Sequence, residues 1–380
     1  EMVLLHYLGD ESWSTETTIV SSMNVESMHV ADIDNDGDDD LLLGSSSDDR
    51  LAWAECYGDG TYSPLRTIDF GSDVRSVKWL DINGDGLLDA SATSYLTSEL
   101  LVWTATSDDG DIEFGNEFNV AETSSIVNPK LHNTGDFNGD GILDFVLARS
   151  EKVAIGLGLP TGGYDWVTIG EYQQQAVYGA NVYDFRALPV LDINSDGFDE
   201  VILANREYTI SLLINPDGQP ENWQLEYITN GSPNIFSDSE IGQWRRTSGC
   251  EMVDYNHDGF VDIVQHLHEV NQDGVFAIPN LGNGEWGTQI NLSPSVYQSG
   301  SYGANYTIRT SDWRDADGDG DLDMLAAKPI DGTLLFALNQ SEAAGCTDGL
   351  AVNFVEGASI DDGSCLYEGE ACDDGLAATY

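Results

Sequence analysis

Apolar residues in this chain come in short bursts separated by runs of aspartate, glycine, asparagine and serine. Segments such as VRSVKWL (74–80), RLAWAEC (50–56), LLVWTAT (100–106), DEVILA (199–204) and VFAIPN (275–280) are rich in β-branched and aromatic residues and have strand length. No unit shows apolar residues at a 3.6-residue period, so helical repeats are not expected.

The polar punctuation between the bursts repeats. ADIDNDGDDDLLLG (31–44) is followed by DINGDGLLD (81–89), DFNGDGILD (136–144), DINSDGFDE (192–200), DYNHDGFVD (254–262) and DADGDGDLD (315–323), which share the template D-x-[DN]-x-D-G-x-x-[DE]. First aspartates recur at intervals of 49, 55, 56, 62 and 61 residues, with a strand-like segment on each side. A second signal runs out of phase: a turn followed by an aromatic at Trp13, Tyr62, Phe114, Trp166, Trp223 and Trp286. With β-prone runs on both sides of that turn, each unit reads as about four short strands, the sequence signature of a β-propeller blade. The predicted fold is therefore all-β, a β-propeller over residues 1–340 with six motif-bearing blades, followed by a small module over 341–380. MVLLHYLGDESWSTETTIV (2–20) reads as the outer two strands of a further blade, and TLLFALNQSEAAGC (333–346) offers the sixth unit no turn or fourth strand. Closure as a six-bladed or a seven-bladed ring stays open.

Charge narrows the partners. With 67 acidic against 14 basic residues, the formal net charge of −53 repels nucleic acid and anionic membranes and favours cations. Aromatic and β-branched residues throughout mark a folded chain, not an acidic disordered tail. No apolar run approaches the roughly 18 residues of a membrane span, and EMVLLHYLGDESW lacks the basic start and cleavage site of a signal peptide. The expectation is a processed chain or a fragment, without a transmembrane segment.

Crowded carboxylates are the chemistry that hard cations need. Ca2+ takes six to eight oxygen ligands at flexible geometry. Loop positions 1, 3, 5 and 9 offer side-chain oxygens, position 7 its backbone carbonyl, and Gly at position 6 permits the bend. The candidate ligands are Asp32, Asp34, Asp36, Asp38 and Asp40; Asp81, Asn83, Asp85, Leu87 and Asp89; Asp136, Asn138, Asp140, Ile142 and Asp144; Asp192, Asn194, Asp196, Phe198 and Glu200; Asp254, Asn256, Asp258, Phe260 and Asp262; and Asp315, Asp317, Asp319, Asp321 and Asp323. The logic is that of an EF-hand loop, but the closing acid stands at position 9, not 12, and strands replace the helices. Mg2+ demands a stricter octahedron, and Zn2+ calls for His or Cys that these positions lack; only His257 enters a loop, at position 4.

These residues resemble the FG-GAP or VCBS-type propeller repeats of integrin-like and secreted bacterial proteins, ADIDNDGDDDLLLG and GDGTYS being close to the two halves of that repeat. The resemblance covers Glu1 to about Gln340. It implies about six bound Ca2+, an extracellular setting, and an adhesive, structural or glycan- or protein-binding role within a larger secreted or cell-surface protein. Some enzymes carry such propellers, so a polysaccharide lyase or hydrolase, or its accessory domain, is the alternative. No catalytic constellation, nucleophile elbow, P-loop or dinucleotide fingerprint is visible, and the expectation is a non-enzyme. GCTDGLAVNFVEGASIDDGSC (345–365) is similar to short modules near the C-termini of large secreted proteins, and that resemblance implies a Cys346–Cys365 disulfide and an oxidising compartment. Cys372 has no evident partner, and Cys56 and Cys250 read as buried free thiols.

Six residues before each loop stand Glu26, Arg75, Lys130, Arg186, Ser248 and Arg309. At about 3.3 Å per strand residue they lie roughly 20 Å from the loops, and Arg75, Lys130, Arg186 and Arg309 form a candidate ring for an anionic ligand. The simpler reading pairs each with a neighbouring carboxylate. His266 and His268 alternate onto one strand face, a spacing compatible with a metal or an acid/base pair, but with no third ligand evident they read as a packed or solvent-facing pair. Asn230, Asn291, Asn305 and Asn339 begin N-x-[ST] sequons, and the 237–246 loop is the candidate site under the enzyme alternative.

Overall fold

The computed structural model describes residues 2–4, 7–9, 12–13, 17–20, 22–71, 73–108, 111–120, 129–149, 152–171, 185–205, 210–219, 222–228, 246–268, 274–282, 284–292, 311–315, 322–328, 333–337, 344–345 and 360–361. Among them all regular structure is β, and no helix is long and apolar enough to cross a membrane. The chain forms two compact units, Glu1–Thr229 and Asn230–Tyr380.

In the first unit each Asp motif joins the first two strands of an antiparallel meander. Blade 1 is Ser27–Ala31, Asp40–Ser45, Arg50–Ala54 and Arg66–Phe70, and blade 2 is Val74–Leu80, Asp89–Ser94, Glu99–Asp108 and Asp111–Asn119. Blade 3 is Leu131–Gly135, Asp144–Arg149, Lys152–Gly158 and Tyr164–Glu171. Blade 4 splits its first strand into Phe185–Ala187 and Val190–Leu191, which both pair with Glu200–Asn205, followed by Ile210–Ile214 and Gln224–Tyr227. Pro189 supplies no N–H to the ladder, and the break falls there. Among residues 2–20 the described strands form two separate antiparallel pairs, Met2–Leu4 with Thr17–Val20 and Tyr7–Gly9 with Ser12–Trp13.

The second strands of blades 1 and 2, Asp40–Ser45 and Asp89–Ser94, are buried at every residue. In blade 1 both faces are covered, Leu42 in the cluster shared with blade 2 and Leu41 and Leu43 against Met23 and Val25, so an apolar run replaces the alternation of a half-exposed strand, whereas DASATS fills the same place in blade 2 with small side chains. One core cluster joins Leu42, Leu51 and Trp53 of blade 1 to Val77, Trp79 and Trp103 of blade 2. Another joins Leu100 and Val102 to Phe145 and Leu147, and a third joins Val146 and Ile155 to Val201 and Leu213. The turn-aromatics belong to these seams: Phe114 contacts Trp53 and Trp79, Trp166 donates to the Val120 carbonyl, and Trp223 meets Phe137 edge-on.

The second unit holds blade 5, Arg246–Val253, Asp262–His268, Gly274–Ile278 and Ile290–Asn291, and blade 6, Ser311–Arg314, Asp323–Lys328 and Thr333–Ala337. Among the described residues blade 6 has three strands. Val264, Val275 and Ala277 pack on Met324 and Ala326. Of 341–380, Ala344–Gly345 and Ile360–Asp361 form a short parallel pair; Cys346, Cys365 and Cys372 lie outside the described residues.

Candidate metal centres

Five of the six Asp loops are described in full, and their backbones are alike. Position 6 is glycine in the left-handed region at Gly37, Gly86, Gly141, Gly197 and Gly259, φ between 76° and 98°. Position 4 is left-handed as well, at Asn35, Gly84, Gly139, Ser195 and His257. Two such residues in three curl the chain tightly enough to turn the side chains of positions 1, 3 and 5 inward. The position 4 requirement was missed from sequence, although two glycines and an asparagine there signal it.

Backbone N–H groups then fix the carboxylates. The position 1 aspartate accepts the amides of positions 5 and 6, as Asp32 does from Asp36 and Gly37 (3.1 and 3.0 Å) and Asp136 from Asp140 and Gly141 (3.1 and 2.8 Å). Position 3 accepts the position 5 amide and position 5 the position 7 amide, as in Asp85 to Asn83 and Leu87 to Asp85 (2.8 and 2.9 Å). Asp192 with Asp196, and Asp254 with Asp258, repeat the arrangement.

The acid at position 9 does more than the sequence indicated. Asp40, Asp89, Asp144 and Asp262 are fully buried. One oxygen of each accepts the position 2 amide, from Ile33, Ile82, Phe137 and Tyr255. The other accepts an amide at the end of the third strand, from Cys56, Ala105, Gly158 and Asn280, each at 2.7 Å. The carboxylate thus ties the loop to the body of its blade. Glu200 takes the amide of Ile193 but reaches back to the side-chain amide of Asn194 at 3.1 Å, its extra methylene carrying the carboxylate into the loop.

A carboxylate has about four lone-pair positions, so two accepted N–H bonds leave others for a cation. In the first loop Asp32, Asp34 and Asp40 each bring an oxygen within 4.8 Å of the others. Loops two to five carry Asn83, Asn138, Asn194 and Asn256 at position 3, a neutral oxygen in the same place. Burial, aided by the neighbouring loop aspartates, pushes Asp40 up to about 6 and Asp144, Glu200 and Asp262 up to about 7, with the accepted amides opposing the shift in part. An all-oxygen donor set closed by a buried acid that resists its own negative charge fits a hard cation. Asp315 and Asp323 are the described ligand positions of the sixth loop; Asp317, Asp319 and Asp321 lie outside the described residues.

Position 7 has a side-chain role as well. Phe260 covers Gly282, and Asp38 lies against Gly58 in the corresponding turn of blade 1, so close that a Cβ there would clash. The Asp loop and the turn between strands three and four are in contact in both blades.

Among the candidate cation ring, Arg75 is held by Asp73 at 2.7 Å and Glu26 at 3.5 Å and lies over the Tyr95 ring. Lys130 is half-buried just before Leu131–Gly135, Arg186 lies within Phe185–Ala187, and Arg309 is outside the described residues. His266 is buried and held by Ser311 Oγ at 2.9 Å, with Glu251 beyond at 3.8 Å. Cys56 and Cys250 are buried free thiols. Asn291 is in an exposed strand; Asn230, Asn305, Asn339 and 237–245 lie outside the described residues.

Residues 32–90 match the FG-GAP-like repeat family, a span running from the first Asp loop through the second. The fold is similar to that of an Agrocybe aegerita lectin that recognises non-reducing terminal N-acetylglucosamine, with a TM-score of 0.55 and 17% identity over 83% of this chain and 77% of that one. A Lactobacillus plantarum protein matches at a TM-score of 0.52 and 12% identity, over 92% of this chain and 90% of that one. No curated protein matches the sequence. The chain has a β-propeller fold, and its residues 32–90 match the FG-GAP-like repeat.

Proposed function

We propose that this chain is a Ca2+-stabilised β-propeller that serves as a non-catalytic binding or adhesive module of a secreted or cell-surface protein. The observation that carries the reading is the repetition of one geometry in five loops, each with oxygens at positions 1, 3, 5 and 9 turned inward and the last one buried. Asp32, Asp34, Asp36 and Asp40, and their counterparts in the other loops, would hold the ion, with the position 7 carbonyl completing the set. Ca2+ offsets the repulsion among these carboxylates and accepts their flexible geometry. Calcium-rich surroundings lie outside the cell, which is the basis for the extracellular setting. A glycan is the favoured ligand class, in keeping with the lectin that shares the fold.

A ligand that binds only the folded state stabilises it by about 2.7 kcal/mol at a hundredfold excess over Kd, and several sites act together. The melting temperature should therefore fall steeply when excess EGTA replaces Ca2+, and recover on adding Ca2+ back. A melting temperature unmoved by EGTA would refute the reading.

A further inference from the structure

In blades 1, 3 and 5 the side chain three residues before the loop bonds the start of the next blade; blade 4 has Pro189 at that place. His29 Nδ1 accepts the Trp79 amide at 3.1 Å, Asn133 Nδ2 donates to the Leu188 carbonyl at 2.8 Å, and Glu251 accepts the Ser311 amide at 2.9 Å. Lys78 occupies the same position in blade 2 and makes no such bond. Among the described residues its half-buried ammonium has neither a hydrogen-bond nor an ion-pair partner, in a chain with 67 acidic residues. Its ordinary value is lowered by that burial, and no carboxylate offsets the cost.

Two imidazoles stand with it. The Ser91 hydroxyl donates to the Lys78 carbonyl at 3.0 Å, so its oxygen accepts from His132 Nε2 at 2.9 Å. Neutral His132 therefore carries its proton on Nε2, and its Nδ1 is a bare acceptor, buried without a partner in a side chain only 3% exposed. His29 takes the Trp79 amide on Nδ1, which leaves its Nε2–H as a donor. Burial and the Lys78 charge hold His29 at about 4 and His132 at about 3, so both are neutral near pH 7.

We propose that Lys78, His29 and His132 form a binding site for a small monocarboxylate bearing hydroxyl groups, of the hexuronic acid class. The carboxylate takes the Lys78 ammonium and the His29 Nε2–H, and a ligand hydroxyl, or the water it carries, supplies the donor that His132 Nδ1 lacks. The formal charge of −53 selects against sulfated or phosphorylated polyanions, whereas one carboxylate among neutral hydroxyls is repelled little once distant charges are screened beyond about 8 Å. The candidate ring contributes less, since Arg75 already has two carboxylates.

The inference deepens the reading of the chain as a binding module, and it stands or falls apart from the cation reading, which the EGTA melt measures separately. Galacturonate titrated into the full chain in Ca2+ buffer, followed by calorimetry, should show saturable binding with Kd of order 1 mM, near the affinity of one ion pair with two hydrogen bonds. Galactose should not bind. Lys78→Met should weaken galacturonate at least tenfold while leaving the melting temperature unchanged or raised. Absence of galacturonate binding, equal binding of galactose, or full affinity in a folded Lys78→Met chain overturns the proposal. Should that variant not fold, acylation of Lys78 in the wild-type chain decides the question: protection by galacturonate supports the site, and an unchanged rate overturns it.

Discussion

Two carboxylates four residues apart in the same loop do different work. Asp144 is fully buried and accepts two backbone amides, from Phe137 at 2.8 Å and Gly158 at 2.7 Å. Asp140 is exposed, and its Oδ1 holds a single amide, that of Ile142. Asparagine at 144 would turn its NH2 toward one of the two amides, leaving a buried donor unpaired, so Asp144→Asn should cost about 2 kcal/mol by urea denaturation even in EGTA. Asp140→Asn keeps an oxygen for Ile142 and should cost under about 1 kcal/mol in EGTA, while reducing the Ca2+-induced rise in melting temperature. Ser195 sits at φ 59° where two other loops use glycine. A left-handed non-glycine costs roughly 1–2 kcal/mol, against roughly 0.5–1 kcal/mol for the greater freedom of unfolded glycine. Ser195→Gly should stabilise by about 0.5 kcal/mol in Ca2+ buffer, read from the denaturation midpoint.

At the scale of elements, the seams between blades set stability. A Cβ on Gly44, in the second strand of blade 1, would stand 2.7 Å from Val74 Cγ1 and 2.8 Å from Val77 Cγ1. Those valines belong to the cluster that joins blades 1 and 2, so the clash forces two sheets apart. Gly44→Ala should destabilise by about 1–3 kcal/mol, measured by thermal melting in saturating Ca2+. The strands themselves were legible: buried runs such as DLLLGS and DFVLAR are apolar because both faces are covered, and each begins at the loop acid. The seams were not, because a glycine that lets two sheets approach and one that only turns a loop are the same letter.

For the molecule as a whole, charge is the governing quantity. Six divalent ions, each adding two positive charges, would take the formal charge from −53 to −41. Acid presses in another way, through the buried imidazoles. His132 is held at about 3 when folded, below its ordinary 6.5, so the unfolded chain binds the proton first. Its contribution to stability is complete above about 6.5 and is lost as pH falls toward 3, by about 1.4 kcal/mol per unit. Comparing wild type with His132→Gln in saturating Ca2+, the slope of stability against pH between about 6.5 and 5 should be shallower in the variant by that amount.

The sequence by itself determined the repeat, its strand content, the loop acids and the sign of the net charge, because spacing and charge are local properties that survive without coordinates. Glycine at position 6 and an acid at position 9 were readable for the same reason. Tertiary structure alone decided that Asp40, Asp89, Asp144 and Asp262 also anchor the ends of third strands 14 to 18 residues onward. It alone decided that Arg75 is paired while Lys78, three residues away, is not. A partner is chosen by which strands lie side by side, and nothing in the spelling of either cation records which carboxylates come within reach.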